Sequence, residues 1–455
     1  MRETRISCDK FNFISILGVE GRKAANEHAK IKVRGHISET SDEYVLHNSA
    51  GQGVTFTASD SEGEKQIFGG IIDEIEIHTE NEMRILTVSV LSRSTLMDLT
   101  PYTRTFQNPA MTFTDVTTLM TSEKADWGFL LPDIGGRSIG SMVVQHNKTD
   151  WEHSKYLAQK AGTVVVPDYL LNAPYISIGI PKRSPKSGID AISYTVKKDV
   201  HQFRNMDGSI SERDAVSYIV KSREILDLCD RIPFAGLSLL VWAIDTYYEG
   251  AQLVHYYTLR EEGGFFTQEK FNEYLIGVSL RGTVIEIVED KVRVNIHGDV
   301  AQSEHKWFQY STPFSQPDGY GWYFMPEVGD EVRVQFPSED ENEAYVTSAV
   351  HVTHGSRANP GVKFIRTVYG QTIQFDPEKI LIDDGAGSSI TMHKDEGISL
   401  ETNKNAKIEA GSEITMSAAG KVLITGGRGV VMQKGDSAIS VDDVIDISAE
   451  HTRIQ

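Results

Sequence analysis

Residues 389–433 read SITMHKDE-GISLETNK-NAKIEAGS-EITMSAAG-KVLITGGR-GVVMQ, a repeat of eight residues. In each repeat two apolar residues stand two positions apart, which is the spacing of side chains on one face of a β-strand. Residues that favour turns recur in a fixed register between these pairs. A strand with a single apolar pair has little to pack against within its own chain. The repeat therefore predicts many short strands that stack with those of other chains into a stiff rod.

The apolar pairs are predicted to form the core of this rod, which we call the needle. The predicted core residues are Ile390, Met392, Ile398, Leu400, Ile408, Ile414, Met416, Val422, Ile424, Val430 and Met432, with Ala406 completing the third pair. The predicted turn residues are Gly387, Asp395, Asn403, Gly411, Gly427 and Gly435, with Ala419 as an exception. Weaker pairs follow at Ile439/Val441 and Ile445/Ile447. The simplest closed arrangement is several identical chains wound together, each forming one side of a prism.

Composition limits the possible partners and compartments. The chain has 455 residues and a formal net charge of -19, which argues against nucleic acid because nucleic-acid binding needs a basic surface. Two cysteines, Cys8 and Cys229, are too few for a disulfide framework and favour a reducing cytoplasm. The first residues contain no apolar segment of the kind found in secretory signals. We expect the protein to leave the cell by lysis or inside a machine.

The pattern along the chain predicts a mainly β protein in several parts. Residues 1–95 and 166–277 are rich in alternating strands, and residues 96–165 are mixed. The clearest helix begins at Thr149, where Thr149-Asp150-Trp151-Glu152 matches a capping box, and Gly162 is expected to end it. Residues 278–355 have the strand density of a small closed barrel of the OB type. A connector over 356–380 leads to the needle at 381–455.

The barrel segment resembles the OB domain of the VgrG spike proteins of type VI secretion and of related contractile phage-tail spikes. The resemblance rests on Trp307-Phe308-Gln309-Tyr310 and on the block from Gly321 to Val332, in which aromatic residues precede Pro-x-Val-Gly-Asp-Glu-Val. The motif residues are Trp307, Trp322, Phe324, Pro326, Val328 and Gly329. The helix at 149–162 and the octad repeat are similar to further parts of the same family.

This resemblance implies a homotrimer with no catalytic residues and no cofactor. Residues 1–95 and 166–277 would be two barrel-like hub lobes, with a helical insert between them, and three copies would form a pseudo-six-fold ring. The OB barrel would lead to a C-terminal intertwined triple-stranded β-helix, residues 381–455. The implied function is the central spike of a contractile injection machine, which adapts a three-fold needle to a six-fold tube and pierces a target envelope.

The resemblance also implies partners and a location. The partners would be the tube-initiating hub ring, baseplate proteins, a PAAR-like tip protein and an effector or adaptor, with no nucleic acid and no stable membrane insertion. Assembly would take place in the bacterial cytoplasm as part of a tail-like particle, which is exported or becomes extracellular on firing.

Several motifs are candidates for catalytic or metal-binding sites. Gly136-Arg137-Ser138-Ile139-Gly140 spells G-x-S-x-G, but it lacks the preceding strand and following helix of a nucleophile elbow, so we predict a polar loop. His351 and His354 point to opposite faces if they lie on a strand. The carboxylates of Glu339–Glu343 are predicted to form a solvated hairpin tip rather than a calcium site. His451 is a metal candidate only if three copies meet on an axis.

A second class of function stays open beside the spike. A trimeric β-helical tailspike that binds or cleaves surface polysaccharide would also contain stacked short strands. Such proteins line their grooves with aromatic residues, and this chain has no Trp, Tyr or Phe from Ser388 onward. A barrel that recruits a toxin adaptor is a weaker alternative. The OB-domain aromatics are predicted to fill the barrel and the trimer contact; they are Trp307, Tyr320, Trp322, Tyr323 and Phe324.

Overall fold

The computed structural model of the protein is mainly β, as the sequence predicts. It describes residues 4–38, 51–60, 63–80, 83–124, 126–205, 210–268, 272–300, 304–316, 318–347, 359–451 and 453. The chain divides into two compact units, residues 1–351 and 352–455. In the described part of the chain, none of the helices has the length and apolarity needed to span a bilayer.

The first unit contains the following elements. The strands are β1 (Arg5–Cys8), β2 (Ser15–Ala24), β3 (Lys30–Ile37), β4 (Gly53–Asp60), β5 (Gly63–Glu80), β6 (Met83–Leu91), β7 (Pro101–Phe106), β8 (Gly128–Leu130), β9 (Val143–Thr149), β10 (Val165–Pro167), β11 (Tyr175–Ile178), β12 (Ser193–Lys198), β13 (Val216–Ser222), β14 (Arg231–Phe234), β15 (Leu237–Glu249), β16 (Gln252–Arg260), β17 (Ser279–Val288), β18 (Lys291–Ile296), β19 (Trp307–Gln309), β20 (Glu331–Gln335) and β21 (Tyr345–Thr347). The helices are α1 (Phe113–Met120), α2 (Asp150–Lys160) and α3 (Val200–Asn205).

The largest sheet of the first unit, which we call the hub sheet, has eleven strands. Ten follow the order β1-β4-β5-β6-β3-β2-β15-β16-β13-β12, and β14 pairs with β15. Strands from residues 1–95 and from 166–277 thus lie in one sheet, joined where β2 pairs antiparallel with β15. Inward residues from both parts, such as Val33, Val88, Val220 and Tyr257, belong to one buried apolar cluster. The alternation along β3 places Ile31 and Val33 inside and their neighbours Lys32 and Arg34 outside, as predicted.

Helix α2 confirms the predicted capping box. The Thr149 side chain accepts a hydrogen bond from the Glu152 N–H, and the Glu152 side chain accepts one from the Thr149 N–H. Trp151, Tyr156 and Leu157 share the buried face of the helix. The chain leaves the helix through Gly162, whose φ of +72° favours glycine.

The OB barrel is a five-stranded sheet in the order β19-β18-β17-β20-β21. It closes where the Ser311 N–H donates to the Val346 carbonyl at 2.7 Å, beside a parallel bridge between Tyr310 and Val346. Its interior is filled by aliphatic side chains and by Phe308 and Phe336. The predicted OB barrel is therefore confirmed in its strand content.

The second unit consists of two small antiparallel sheets. The first is a meander of β22 (Lys363–Arg366), β23 (Thr372–Phe375), β24 (Lys379–Asp383), β25 (Ser388–His393) and β26 (Gly397–Thr402). The second contains β27 (Val430–Lys434), β28 (Ser437–Val441) and β29 (Ile445–Ser448). We call them the proximal and the distal needle sheet.

The cap of α2 generates a stability prediction. Thr149→Ala removes the oxygen that caps the helix and also donates to Asp98, so we expect unfolding to become easier by about 0.5–2 kcal/mol. Urea unfolding followed by circular dichroism measures this change. Thr118→Ala, at an exposed position inside α1, is the matched control and should change stability by less than about 0.5 kcal/mol. Equal losses in the two variants would contradict the role of the cap.

Candidate functional site: the open faces of the needle sheets

The turns of the proximal needle sheet are fixed by carboxylates that bind backbone N–H groups. Asp384 Oδ1 accepts from the N–H groups of Ala386 and Ser388 at 2.7 and 2.9 Å. Asp376 Oδ1 accepts from Glu378 and Lys379, each at 2.9 Å. Hydrogen bonds from these N–H groups hold the pKa of both aspartates below the usual value. Such turns keep every strand short and fix which residues stand opposite each other.

The strand register gathers the apolar residues of the proximal sheet on one face. Residues directly opposite each other on antiparallel strands share a face of the sheet. Following the pairs across the sheet gives two rows of apolar side chains. The first row is Ile365, Ile373, Ile382, Ile390 and Leu400, and the second is Phe375, Ile380, Met392 and Ile398. The predicted core residues of the first two octads thus lie together on one face.

This apolar face is open in the single chain. Ile398 is 78% exposed and Leu400 is 61% exposed, although both lie in the middle of a regular strand. The intervening positions Thr391 and Ser399 stand opposite each other on the other face, which is more polar. A contiguous exposed apolar face on a well-formed sheet marks an interaction surface.

The distal needle sheet has the same design. Its register forms one row from Val430, Val441 and Ile445 and a second from Met432, Ile439 and Ile447. The weak pairs at 439/441 and 445/447 therefore continue the octad pattern as strands. Ile447 is 57% exposed, so this face is also open in the single chain.

The segment between the two sheets does not test the predicted strands, which need strands of other copies as partners. Strands were expected around Ala406/Ile408, Ile414/Met416 and Val422/Ile424, but in the described single chain residues 403–429 form none. The reason is the lack of a neighbouring strand, because a β-strand needs a partner for its backbone N–H and C=O groups. Ile408, at 77% exposure, and the other apolar residues of these pairs face solvent.

The OB motif residues have different environments. Trp307 lies half-buried in β19 with the Arg293 guanidinium 4.5 Å from its ring centre. Pro326 is buried, Val328 is exposed, and Gly329 has a φ of +97° in the turn before β20, where its N–H donates to the Val284 carbonyl. Strand β20 begins at Glu331, two residues after Gly329.

The prediction that the OB aromatics fill the barrel is wrong for four of the five residues, whereas their predicted place in the trimer contact stays a prediction. Tyr320, Trp322, Tyr323 and Phe324 do not fill the barrel, because they lie in the long loop between β19 and β20 and are exposed. The barrel interior is occupied by Phe308, which is the neighbour of Trp307, and by Phe336, together with aliphatic residues.

The carboxylate run at 339–343 corrects another prediction. It is not wholly a solvated tip, because the Glu341 side chain is only 2% exposed. The Tyr156 hydroxyl of α2 donates to Glu341 Oε1 at 2.7 Å, and burial raises the pKa of this carboxyl. Lys306 Nζ donates to the backbone carbonyls of Glu341 and Asn342. The hairpin therefore ties the barrel to the hub helix.

The remaining candidates for chemistry contribute no assembled site. Ser138 lies in an exposed loop, as predicted for the G-x-S-x-G motif. His351 and His354 lie outside the described residues. His451 is exposed, and the described residues contain no group of three or more His, Cys, Asp or Glu side chains that could hold a metal.

Comparisons with known proteins agree with this architecture. Residues 280–351 match the family described as the type VI secretion system/phage-baseplate injector OB domain. The predicted resemblance to VgrG-type spikes is confirmed. No curated protein matches the chain significantly.

Solved structures of VgrG-related proteins share the fold of the chain. The E. coli c3393 protein is described as a component of the type VI secretion system with structural similarity to the T4 bacteriophage tail proteins gp27 and gp5. It matches with a TM-score of 0.51 and 12% identity over 75% of this chain and 99% of its own. The lidless PdpA-VgrG complex matches with a TM-score of 0.53 and 9% identity over 88% of this chain and 98% of the matched chain. The half-lidded Francisella complex also has a TM-score of 0.53 and 9% identity, and it covers 88% of each chain.

The buried Glu341 generates a pH-dependent prediction. Because burial raises its folded-state pKa above the ordinary value of 4.5, the folded protein binds this proton more tightly than the unfolded chain does. The free energy of unfolding should therefore fall as the pH rises from 4.5 through the raised pKa. Glu341→Gln keeps an oxygen that accepts from Tyr156 and cannot become charged.

We expect Glu341→Gln to gain stability relative to the unchanged protein between pH 4 and pH 7.5. The gain should be on the order of 1 kcal/mol for each unit by which the two pKa values differ. Urea unfolding at the two pH values measures it. Glu343→Gln, in the same run but exposed, is the control. A difference between protein and variant that does not change with pH would contradict the burial argument.

Proposed function

We propose that this protein is the central spike of a contractile injection machine and that it works as a homotrimer. The observation that supports the proposal is the pair of needle sheets, each with two apolar rows on one open face. A flat sheet with one apolar face can hide that face only against another apolar surface. Three copies around an axis would turn their apolar faces inward and form a closed three-sided prism.

The energetics favour association of this kind. Burial of a half-exposed Ile, Leu or Met side chain contributes on the order of 1 kcal/mol. Two rows in the proximal sheet and two in the distal sheet supply many such side chains from each chain. The segment at 403–429 carries three more apolar pairs in the same register, and strands from neighbouring copies would give its backbone the partners that it lacks in isolation.

The order of the domains supports the role in the machine. The hub sheet, the OB barrel and the needle sheets follow one another along the chain, in the order expected of a VgrG-type spike. In our proposal the hub ring binds the first ring of the six-fold tube and the baseplate. The needle pierces the target envelope and carries a small PAAR-like tip protein on its last strands. An effector or its adaptor would be carried by the same particle.

The location follows from this role. We propose that the trimer assembles in the bacterial cytoplasm and is delivered as part of a tail-like particle. No catalytic step is assigned to the chain, because the proposed work is mechanical: binding neighbours and transmitting axial force through strands that are hydrogen-bonded along the rod.

A matched pair of variants tests the proposal. Ile398 and Ser399 are neighbours in β26, both exposed in the single chain, and they point to opposite faces. Ile398→Asp places a charge on the proposed internal face, whereas Ser399→Asp places it on the outer face. Light scattering should give three times the 50.6 kDa chain mass for the unchanged protein and for Ser399→Asp. Ile398→Asp should weaken the trimer at least about tenfold.

The same variants test the role in the native cell. Contractile particles purified from cells with Ser399→Asp should contain the protein, and those from cells with Ile398→Asp should lack it or fail to assemble. A mass of one chain for the unchanged protein at micromolar concentration would overturn the proposed trimer. Normal particles that contain no copy of this chain would overturn the proposed spike function.

A further inference from the structure

Two long hairpins of the hub sheet have the same construction. The last residue pair is Glu80 with Met83 in the β5–β6 hairpin and Glu249 with Gln252 in the β15–β16 hairpin. Each hairpin has a register shift at the same distance from its turn, at Ile72/Glu74 in β5 and at Val241/Ala243 in β15. The paired positions then correspond one to one up to the turns. The two hairpins are therefore repeats of one unit within the chain.

The strands beside these hairpins also correspond, with one exception. The first half of β5 pairs with β4, and the first half of β15 pairs with β14. The second half of β15 pairs with β2 through residues 243–247. The corresponding part of β5, Ile72–Glu80, pairs only with β6 among the described residues. In the part of the chain that the structure describes, β15 thus has a neighbouring strand at a place where β5 has none.

The other end of the hub sheet supplies a strand of the right kind. Strand β12 pairs only with β13 in the described chain, and all six of its residues are exposed. The pair β12–β13 occupies the place in its half that β2–β3 occupies in the other. Val88 of β6 and Tyr257 of β16 are corresponding positions of the two hairpins. Val33 of β3 pairs with Val88, and Val220 of β13 pairs with Tyr257. By this correspondence β12 is the counterpart of β2.

We propose that β12 of one copy pairs antiparallel with the Ile72–Glu80 edge of β5 in a second copy of this chain. This inference rests on the proposed assembly of several copies and adds the contact that joins their hubs. The register is that of the β2–β15 joint inside the chain. It places Lys197 opposite Glu76 and Val196 opposite Ile77 of the neighbouring copy.

The charges of the two edges are complementary in this register. At the internal joint Arg22 stands opposite Asp245, and its Nη1 lies 3.0 Å from Asp245 Oδ1. Lys197 and Glu76 are the corresponding positions, and they repeat the same sign pattern. Neither has an ion-pair partner among the described residues. Two positions further along the same register, Asp199 would stand opposite Glu74. Both residues are acidic, so the pairing should end at Lys198.

The shape of the internal joint also suits the proposed one. A Cβ added to Gly21 would lie 3.5 Å from Cβ of Thr246, the residue opposite it. Val196 and Ile77 are their counterparts, so their side chains should meet across the new joint. Each copy would give its β5 edge to one neighbour and its β12 edge to the other, a head-to-tail contact that closes into a ring. The β12 edge and the outer half of β5 would then both be covered.

A cysteine pair tests the joint in the full-length chain. In a Cys8→Ser background, Val196→Cys combined with Ile77→Cys should form disulfides between chains, because opposed Cβ atoms about 3.5–4.5 Å apart suit that bond. The control combines Thr195→Cys with Ile77→Cys, since Thr195 points to the other face of the strand. Under mild oxidation, a non-reducing gel should show covalent trimers at least about tenfold more abundant for the first pair.

The outcomes separate this inference from the proposed function. A trimer by light scattering that does not cross-link through the 77/196 pair overturns the joint and leaves the spike intact. Cross-linked assemblies of another size support the joint and overturn the three-fold spike. A chain that stays single under all conditions overturns both. Equal cross-linking of the control pair overturns the proposed register.

A charge exchange tests the ion pair at the joint. In the 77/196 cysteine background, Lys197→Glu or Glu76→Lys alone brings like charges together and should slow cross-linking about threefold to tenfold. The two substitutions combined restore opposite charges and should recover most of the rate. Slow cross-linking in the combined variant would show that these residues do not meet.

Discussion

The structure depends on one constraint: a short strand with a single apolar pair cannot bury that pair within its own sheet. Each needle sheet is well formed in hydrogen bonds and turns, yet its two apolar rows are open. In the single chain the side chains of these rows therefore stay exposed, and the hydrophobic free energy of burying them is not gained. In the proposed trimer the last step of folding in this region would be association, and the stability of the needle would then depend on concentration as in obligate oligomers.

The hub obeys a different rule because it has an interior of its own. Its apolar residues from both halves of the sheet form one buried cluster, and the two halves are already joined through β2 and β15. Among the described residues of the hub sheet, the β12 edge and the outer half of β5 have backbone groups without a neighbouring strand. Edges of this kind select partners by register and charge.

Features that depend on residues close in sequence could be predicted, whereas features that depend on residues far apart in sequence could not. The octad repeat predicts β25, β26 and β27, and the capping box predicts α2, because strand alternation and helix caps are local signals. The burial of Glu341 escaped prediction because its partner Tyr156 lies far away in sequence. The exposed loop with Trp322 and Phe324 was misjudged for a related reason, since composition cannot tell a barrel interior from a neighbouring loop.

The free energies expected for the hub ion pair and for the apolar rows of the needle differ, and so do their proposed roles. An exposed ion pair such as the one proposed between Lys197 and Glu76 contributes about 0.2–1 kcal/mol, and salt screens it. The apolar rows of the needle involve many side chains at on the order of 1 kcal/mol each. With a net charge of -19 on each chain, the three copies of the proposed trimer would also repel one another before they meet. In that trimer the needle would therefore hold the copies together, and the hub edges would determine which strands pair once the copies are close.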